Sequence, residues 1–480
     1  MAPCPSAVRI EDCAGLRSRR SIVYQQLSSR WRNRGRPHNP DFADIQIVML
    51  EAPILILLAP RISSPNSADI APGSDGDPMI LGLSLIQRTV LAARRAGYGQ
   101  VLLLGSKASA TAGAAPIADW RSLAATLSPG KAPLIIAPAA VLAETGWLER
   151  LASAKIEPAA WAAIPNRIVM LSAAFASAAA DALAGDGGAR DLSAVEDQLA
   201  RFFGPPAPLP AGIDPMVVEA STDVGLAERR LLSALVKDTD GFMARHVERP
   251  ISLQISRCLA GTAITPNQMS LISIAVGICG GPFFLSPRPL MQTIGALLFL
   301  AHSILDGCDG ELARLKFQQS RFGGVLDFWG DNVVHIVIFG CMAVGWSLSA
   351  GAIWPLALGA AAILGTLGSA GFVYWRLMRL KDDGGALFTS VSASPERPLS
   401  RLLDAASRRD FIYLVILLAL FGKSSWFLVM AGIGAPVYFF LVLFAARAPA
   451  SLKGLEEGGS SLAPGANRCG LARFERRCAL

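Results

Sequence analysis

The sequence predicts a two-part chain. An N-terminal α/β domain on a parallel sheet is followed by a C-terminal all-α membrane domain of six transmembrane helices. Three observations predict it. Between about residues 50 and 230, short apolar runs alternate with helical stretches. Beyond residue 262 the apolar runs lengthen to about 20 residues, the length a helix needs to cross a bilayer. Basic residues gather in the loops on one side of those runs, the asymmetry that orients membrane proteins. The bulk composition agrees: 52% hydrophobic and 17% charged residues over 480 positions suit neither an ordinary soluble protein nor an all-membrane one.

The net charge of +7 is compatible with anionic lipid, phosphorylated substrates or nucleic acid. No aromatic-interleaved basic stripe and no zinc-type spacing occurs, so nucleic acid is not an expected partner. The eight cysteines form no CxxC and several lie inside apolar segments, which reads as small buried hydrophobes. The four histidines form no HxxxH pair, and His302 and His335 flank a cluster of aspartates.

Residues 1–48 are arginine-rich without a core-forming period; they read as a disordered basic tail, or as sequence ahead of a true start at Met49. Residues 49–229 hold five strand-length runs: "PILILLA" (53–59), "QVLLLG" (100–105), "PLIIAPAAVL" (133–142), "RIVMLS" (167–172) and "PMVVEA" (215–220). Helical stretches such as "LGLSLIQRTVLAARRAG" (81–97) separate them, the rhythm of βαβ units with a sheet covered on both faces. In residues 230–262, Met243, Val247, Ile251, Ile255 and Leu259 recur at helical spacing. This predicts a helix lying in the cytoplasmic membrane interface, or a linker helix packed on the soluble domain.

Residues 263–447 carry six apolar stretches, near 267–286, 289–308, 325–348, 352–375, 410–422 and 426–446. Arg314, Lys316 and Arg321 follow the second, and Arg376, Arg379, Lys381, Arg397, Arg401, Arg408 and Arg409 follow the fourth; the opposite loops hold only Arg288 and Lys423. That places the N-terminal domain, the 309–322 loop and the C-terminus in the cytoplasm, on a multi-pass protein of the cell membrane. Residues 448–480 read as a flexible cytoplasmic tail.

Asp306 and Asp309 lie three apart at the end of the second span, and Asp327 and Asp331 four apart at the start of the third. Each pair shares a helical face, and a short turn would bring the pairs together. A carboxylate at the bilayer centre costs about 2.5–3.5 kcal/mol even on the lenient insertion scale. Four of them call for a counter-charge, and all-oxygen donors favour a hard divalent cation such as Mg²⁺, with Mn²⁺ as the alternative, over zinc. Gly310, Ala313, Gly323 and Gly324 would let a ligand approach the backbone, and Arg314 stands where phosphate oxygens could be met. A solvated acidic loop is the bland alternative.

The pattern Asp-x2-Asp-Gly-x2-Ala-Arg-x8-Gly-x3-Asp-x3-Asp, read here as Asp306, Asp309, Gly310, Ala313, Arg314, Gly323, Asp327 and Asp331, resembles the signature of the CDP-alcohol phosphotransferases (CDP-alcohol phosphatidyltransferases). "TPNQMSLIS" (265–273) resembles the segment with which that family begins its first span. The resemblance implies six transmembrane helices, a homodimer in the lipid bilayer, a site open to the cytoplasm, and a CDP-alcohol donor with a hydroxyl acceptor. It implies metal binding by Asp306, Asp309, Asp327 and Asp331, with Asp331 as general base. It further implies CDP binding by Asp306, Gly310, Ala313, Arg314 and Gly323. Arg376, Arg379, Arg408 and Arg409 are candidates for an acceptor phosphate, or serve membrane topology alone.

The stretch 228–273 resembles the junction in bifunctional enzymes that make CDP-inositol and join it to inositol phosphate. The front domain is then expected to be nucleotidyltransferase-like, of Rossmann type, and degenerate. Its first strand is followed by "PRISSPNSADIAPGSDGD" (60–77) rather than a compact glycine-rich basic loop, and Ala137 and Ala139 stand where a metal-binding carboxylate is wanted. Gly73, Asp75, Gly76 and Asp77 read as a phosphate turn or a plain surface loop. The resemblance favours a CDP-polyol donor, CDP-inositol among them, with CDP-diacylglycerol and phospholipid synthesis as the rival. A cation-coupled transporter would spread its acids along a pore, and a catalytically dead scaffold would not need the full aspartate set.

Overall fold

A computed structural model describes residues 52–59, 77–105, 113–127, 132–154, 156, 160–185, 191–218, 221–236, 240–380 and 411–447. The two expected tails, 1–48 and 448–480, and the segment with Gly73, Asp75 and Gly76 lie outside them.

The front part contains β1 (Ile54–Leu58), β2 (Met79–Ile80), β3 (Leu83–Ser84), α1 (Leu85–Arg95), β4 (Gln100–Leu104), β5 (Ala115–Ile117) and α2 (Trp120–Thr126). It continues through β6 (Leu134–Pro138), β7 (Val141–Leu142), α3 (Thr145–Ser153), β8 (Trp161–Ile164), β9 (Ile168–Leu171) and α4 (Ala176–Gly185). It ends with α5 (Leu192–Phe203), β10 (Ala207–Pro208), β11 (Met216–Val217) and α6 (Ser221–Ser233). Seven strands form one sheet in the order β10-β8-β9-β6-β1-β4-β5. Strand β1 lies inside the sheet, between β6 and β4, with both of its faces apolar. Leu55 and Leu57 enter one core layer, Ile56 and Leu58 the other, following the two-residue period of a strand.

The expectation of a parallel sheet needs correction: β9 runs antiparallel to both β6 and β8. The cause is local. Only Pro165, Asn166 and Arg167 link β8 to β9, with Asn166 at φ +56°, and a parallel crossover needs a dozen residues or more. Likewise "PMVVEA" supplies only the two-residue β11, which pairs antiparallel with β7 outside the main sheet. Asp77 is not a surface turn. It is buried, and its Oδ1 accepts from Ile86 N at 2.9 Å, satisfying a free amide at the start of α1.

After a π-helical turn at Ala244–Glu248 come α7 (Arg249–Ala260), α8 (Pro266–Gly280), α9 (Pro289–Leu315), α10 (Arg321–Ala350), α11 (Trp354–Leu380), α12 (Phe411–Leu420) and α13 (Ser424–Arg447). Helix α8 starts with a capping box between Thr265 and Gln268, with Pro266 in its first turn. Helices α8 and α9 cross at Gly280 and Gly295. A Cβ on Gly280 would sit 3.0 Å from the Gly295 carbonyl oxygen, and one on Gly295 would sit 2.9 Å from that of Gly280. Among the described residues, five helices are long and apolar enough to cross a membrane. The expected fifth span is represented by the ten-residue apolar α12.

The predicted loop 309–322 shrinks to residues 316–320. Its first part, "DGELARL", has good helix formers and no breaker but Gly310, so α9 runs on through the signature. Helix α7 packs along α9. Its deeply buried positions are Ser252, Ser256 and Ala260, whereas Ile251 is exposed; Ile255 and Leu259 are half-buried against Cys308, Leu312 and Met269.

Candidate active site

Helix periodicity places Asp306 and Asp309 on one face of α9, and Asp327 and Asp331 on one face of α10. Helix α9 packs on both α8 and α7. One oxygen from each of Asp306, Asp309 and Asp327 falls in a group whose members all lie within 4.8 Å of one another. At an effective dielectric near 20, two like charges at that distance repel by about 3 kcal/mol, and three carboxylates make three such pairs. Asp306 and Asp309 are buried, so water cannot relieve this. The Ser270 hydroxyl donates to Asp309. Asp327 Oδ1 is buried without a hydrogen-bond partner, and Arg314 is half-buried within electrostatic reach of Asp309 and Glu311. Three convergent hard oxygen donors, with a buried Asp327 oxygen left unsatisfied beside them, fit a divalent cation.

Asp331 stands apart from that trio. Its Oδ1 is 3.4 Å from His302 Nε2, and His302 Nδ1 lies 3.0 Å from the Ser273 carbonyl oxygen. A small cavity opens beside Asp331, lined by Phe299, His302, Ser303, Asp331, His335 and Ile412. His302 is buried and His335 half-buried, with His335 Nδ1 2.7 Å from the Asp331 carbonyl oxygen. Of the two histidines that the sequence placed beside the cluster, His302 thus approaches the Asp331 carboxylate and His335 its backbone carbonyl.

Gly310 and Ala313 lie on the last two turns of α9; the Arg314 guanidinium folds back over Gly310, with Nη1 3.3 Å from where a Cβ would stand. Gly323 opens α10, where Ser320 Oγ accepts from its amide at 3.0 Å and Asn267 Oδ1 would lie 2.8 Å from a Cβ. Arg376 is half-buried near the end of α11. Arg379 belongs to the same helix, its side chain outside the described set, and Arg408 and Arg409 lie outside the described residues.

Sequence reasoning missed Glu311, one of the variable positions of the signature. It is fully buried and accepts from Arg249 Nη1 at 2.8 Å, Ser252 Oγ at 2.7 Å and Ser256 Oγ at 2.7 Å. Arg249 is held in turn by Asp240, Nε to Oδ2 at 2.9 Å. Glu248 similarly accepts from Ser303 Oγ at 3.1 Å and the Tyr413 hydroxyl at 3.3 Å. The four-residue spacing of Ser252 and Ser256, which puts two small hydroxyls on one face of the helix, was the available signal.

Residues 263–438 match the family model described as CDP-alcohol phosphatidyltransferase. A protein of Archaeoglobus fulgidus, "Bifunctional IPC transferase and DIPP synthase", is 39% identical over 132 residues, 27% of this chain and 26% of that protein. Its namesake in Rubrobacter xylanophilus is 37% identical over 145 residues, 30% of this chain and 33% of that protein. This chain therefore spans about a quarter to a third of these curated relatives. The crystal structure of Mycobacterium tuberculosis phosphatidylinositol phosphate synthase with CDP-DAG bound is 20% identical. It covers 41% of this chain and 94% of its own, at a TM-score of 0.29.

Proposed function

We propose, from the premise that residues 263–438 are a CDP-alcohol phosphatidyltransferase domain, that this chain moves a substituted phosphate from a CDP-alcohol to an acceptor hydroxyl and releases CMP. The observation that carries the reading is the convergence of Asp306, Asp309 and Asp327. Those three would hold a divalent ion, Mg²⁺ or Mn²⁺, with Asp331 completing a second site. Such an ion, when bound, neutralises charge that develops on the attacking and leaving oxygens.

The chain's own residues supply the rest. Arg314 meets the diphosphate, and Gly310, Ala313 and Gly323 leave room for the cytidine. Asp331 takes the proton of the acceptor hydroxyl, which must come within hydrogen-bond reach of its carboxylate in the adjoining cavity. In-line displacement at phosphorus asks little more of the protein than positioning. Three acids gathered at one end of α9 and α10 support transfer chemistry over a cation pathway, which would string them along the bundle. The basic residues after the second and fourth spans support a cytoplasmic orientation for this end and for the α/β domain. The resemblance of residues 228–273 to bifunctional CDP-inositol enzymes favours a CDP-inositol donor and an inositol phosphate acceptor.

The test is CMP release by purified protein with Mg²⁺, a panel of CDP-alcohols and a panel of acceptors. CMP with CDP-inositol supports the reading; CMP with CDP-diacylglycerol alone transfers it to phospholipid synthesis; none with any pair refutes it. Asp331→Asn should lower turnover by about 10²–10⁴-fold while CDP-alcohol still binds. An active Asn variant would remove Asp331 from the base role.

A further inference from the structure

The C-terminal end of α9, the helix that carries Asp306, Asp309 and Arg314, is finished by residues of the α/β domain. Its backbone closes with Phe317 N donating to the Arg314 carbonyl and Gln318 N to that of Ala313 at 2.9 Å. This is the pattern of a Schellman end, whose left-handed residue is usually glycine. Here that residue is Phe317, at φ +56°. A side chain makes the left-handed region unfavourable, so something must hold it there.

The α/β domain supplies the hold. The Phe317 ring packs against the core layer that contains Leu57, Ile86 and Val90, and the guanidinium carbons of Arg88 and Arg95 each stand 5.9 Å from its centroid. Arg88 is only 2% exposed. Its Nη1 donates to the Leu315 carbonyl oxygen at 3.1 Å, one of those a helix end leaves free, and its Nη2 to the Ile80 carbonyl oxygen at 2.8 Å. Leu315 shares an apolar cluster with Ile80, Leu81, Leu85 and Leu142. Lys316 Nζ ties the same turn to the carbonyl oxygens of Thr262 and Ile264, at 2.8 and 2.7 Å.

We infer that the α/β domain is a positioning module for the aspartate site: Arg88 and Phe317 together hold the end of α9 in the register that sets Asp306 and Asp309 against Asp327. The inference rests on the reading of that cluster as the phosphotransfer centre. Arg88 is a positioning residue, 227 positions from the carbonyl it holds. A front domain retained as a clamp has no need of the phosphate loop and metal carboxylate that its sequence lacks.

The experiment compares wild type, R88M and F317G, each as the full chain in nanodiscs, by amide hydrogen exchange over residues 306–318 and by Mn²⁺ binding in electron paramagnetic resonance. Glycine suits the left-handed position better than phenylalanine, so a Phe317 that served only as a cap would exchange more slowly after F317G. As a plug, it should exchange about tenfold faster, with R88M behaving alike. Mn²⁺ affinity should fall by about tenfold in both variants, the usual cost of losing a group that orients metal ligands. Unchanged or slower exchange in F317G, or wild-type Mn²⁺ affinity in both variants, overturns the inference. Wild-type protein that binds no Mn²⁺ would sink the proposed function instead, and the exchange data would still decide the joint.

Discussion

Replacing Glu311 with glutamine should destabilise the membrane domain by about 3 kcal/mol, although Glu311 is assigned no chemistry. The carboxylate is fully buried and receives two serine hydroxyls and one guanidinium. Hydrogen bonds to a charged acceptor are worth about 1.5–3 kcal/mol each, and a buried ion pair stripped of one partner loses about 3–5 kcal/mol. The full sum does not apply, because Arg249 keeps its contacts with Asp240 at 2.9 and 3.1 Å and the glutamine oxygen still accepts one hydroxyl. What is lost is the charge on all three bonds, and the amide NH₂ must face Ser256, whose hydroxyl has to turn from donor to acceptor. At about 2–4 °C per kcal/mol for a domain of this size, the midpoint should fall by about 6–12 °C. Thermal unfolding in detergent, followed by tryptophan fluorescence, reads this directly. Ser252→Ala and Ser256→Ala should each cost about 1.5 kcal/mol in wild type and clearly less beside Glu311→Gln, the non-additivity of groups in one network. A loss under about 1 kcal/mol for Glu311→Gln, or fully additive serine effects, would refute the view that this carboxylate locks α7 onto α9.

Two further outcomes are expected. Gly365→Ala would place a Cβ 2.5 Å from the backbone of Ala435 and Pro436, so α11 and α13 must separate; a loss of about 1–3 kcal/mol in SDS titration is expected, and one below about 0.5 kcal/mol would contradict the packing. Burial holds the Asp77 carboxyl above its ordinary value of 3.8, so the folded chain binds this proton more tightly than the unfolded chain. Its contribution is greatest below pH 3.8 and is lost as pH rises through the folded value. Asp77→Asn, which keeps an acceptor for the Ile86 amide, should gain on wild type in thermal midpoint from that pH toward neutrality; parallel profiles would contradict the assignment.

The parts of this chain that depend on near neighbours were legible in its sequence. Strands β1, β4, β6 and β9 and helix α1 follow from local apolar runs and breakers, and the long helices follow from runs that only a bilayer or a deep core can absorb. The spacing of Asp306, Asp309 and Asp327 on two successive helices already implied their meeting, because helical periodicity fixes the faces and a short turn fixes the pairing. Strand β8 escaped notice since "WAAI" is only four residues long, with two alanines at its centre, and is ordered by pairing with β9.

What only the tertiary structure decided are contacts with no local signature. Glu311 looks like one more acid until Ser252, Ser256 and Arg249 arrive from a helix 55 to 62 positions away. Phe317 looks like an ordinary loop aromatic until Arg88 and Arg95 close over it. A local pattern specifies which face of an element is apolar, but the partner of a buried polar group is chosen by whichever distant segment can satisfy its hydrogen bonds, and that choice exists only once the chain has folded.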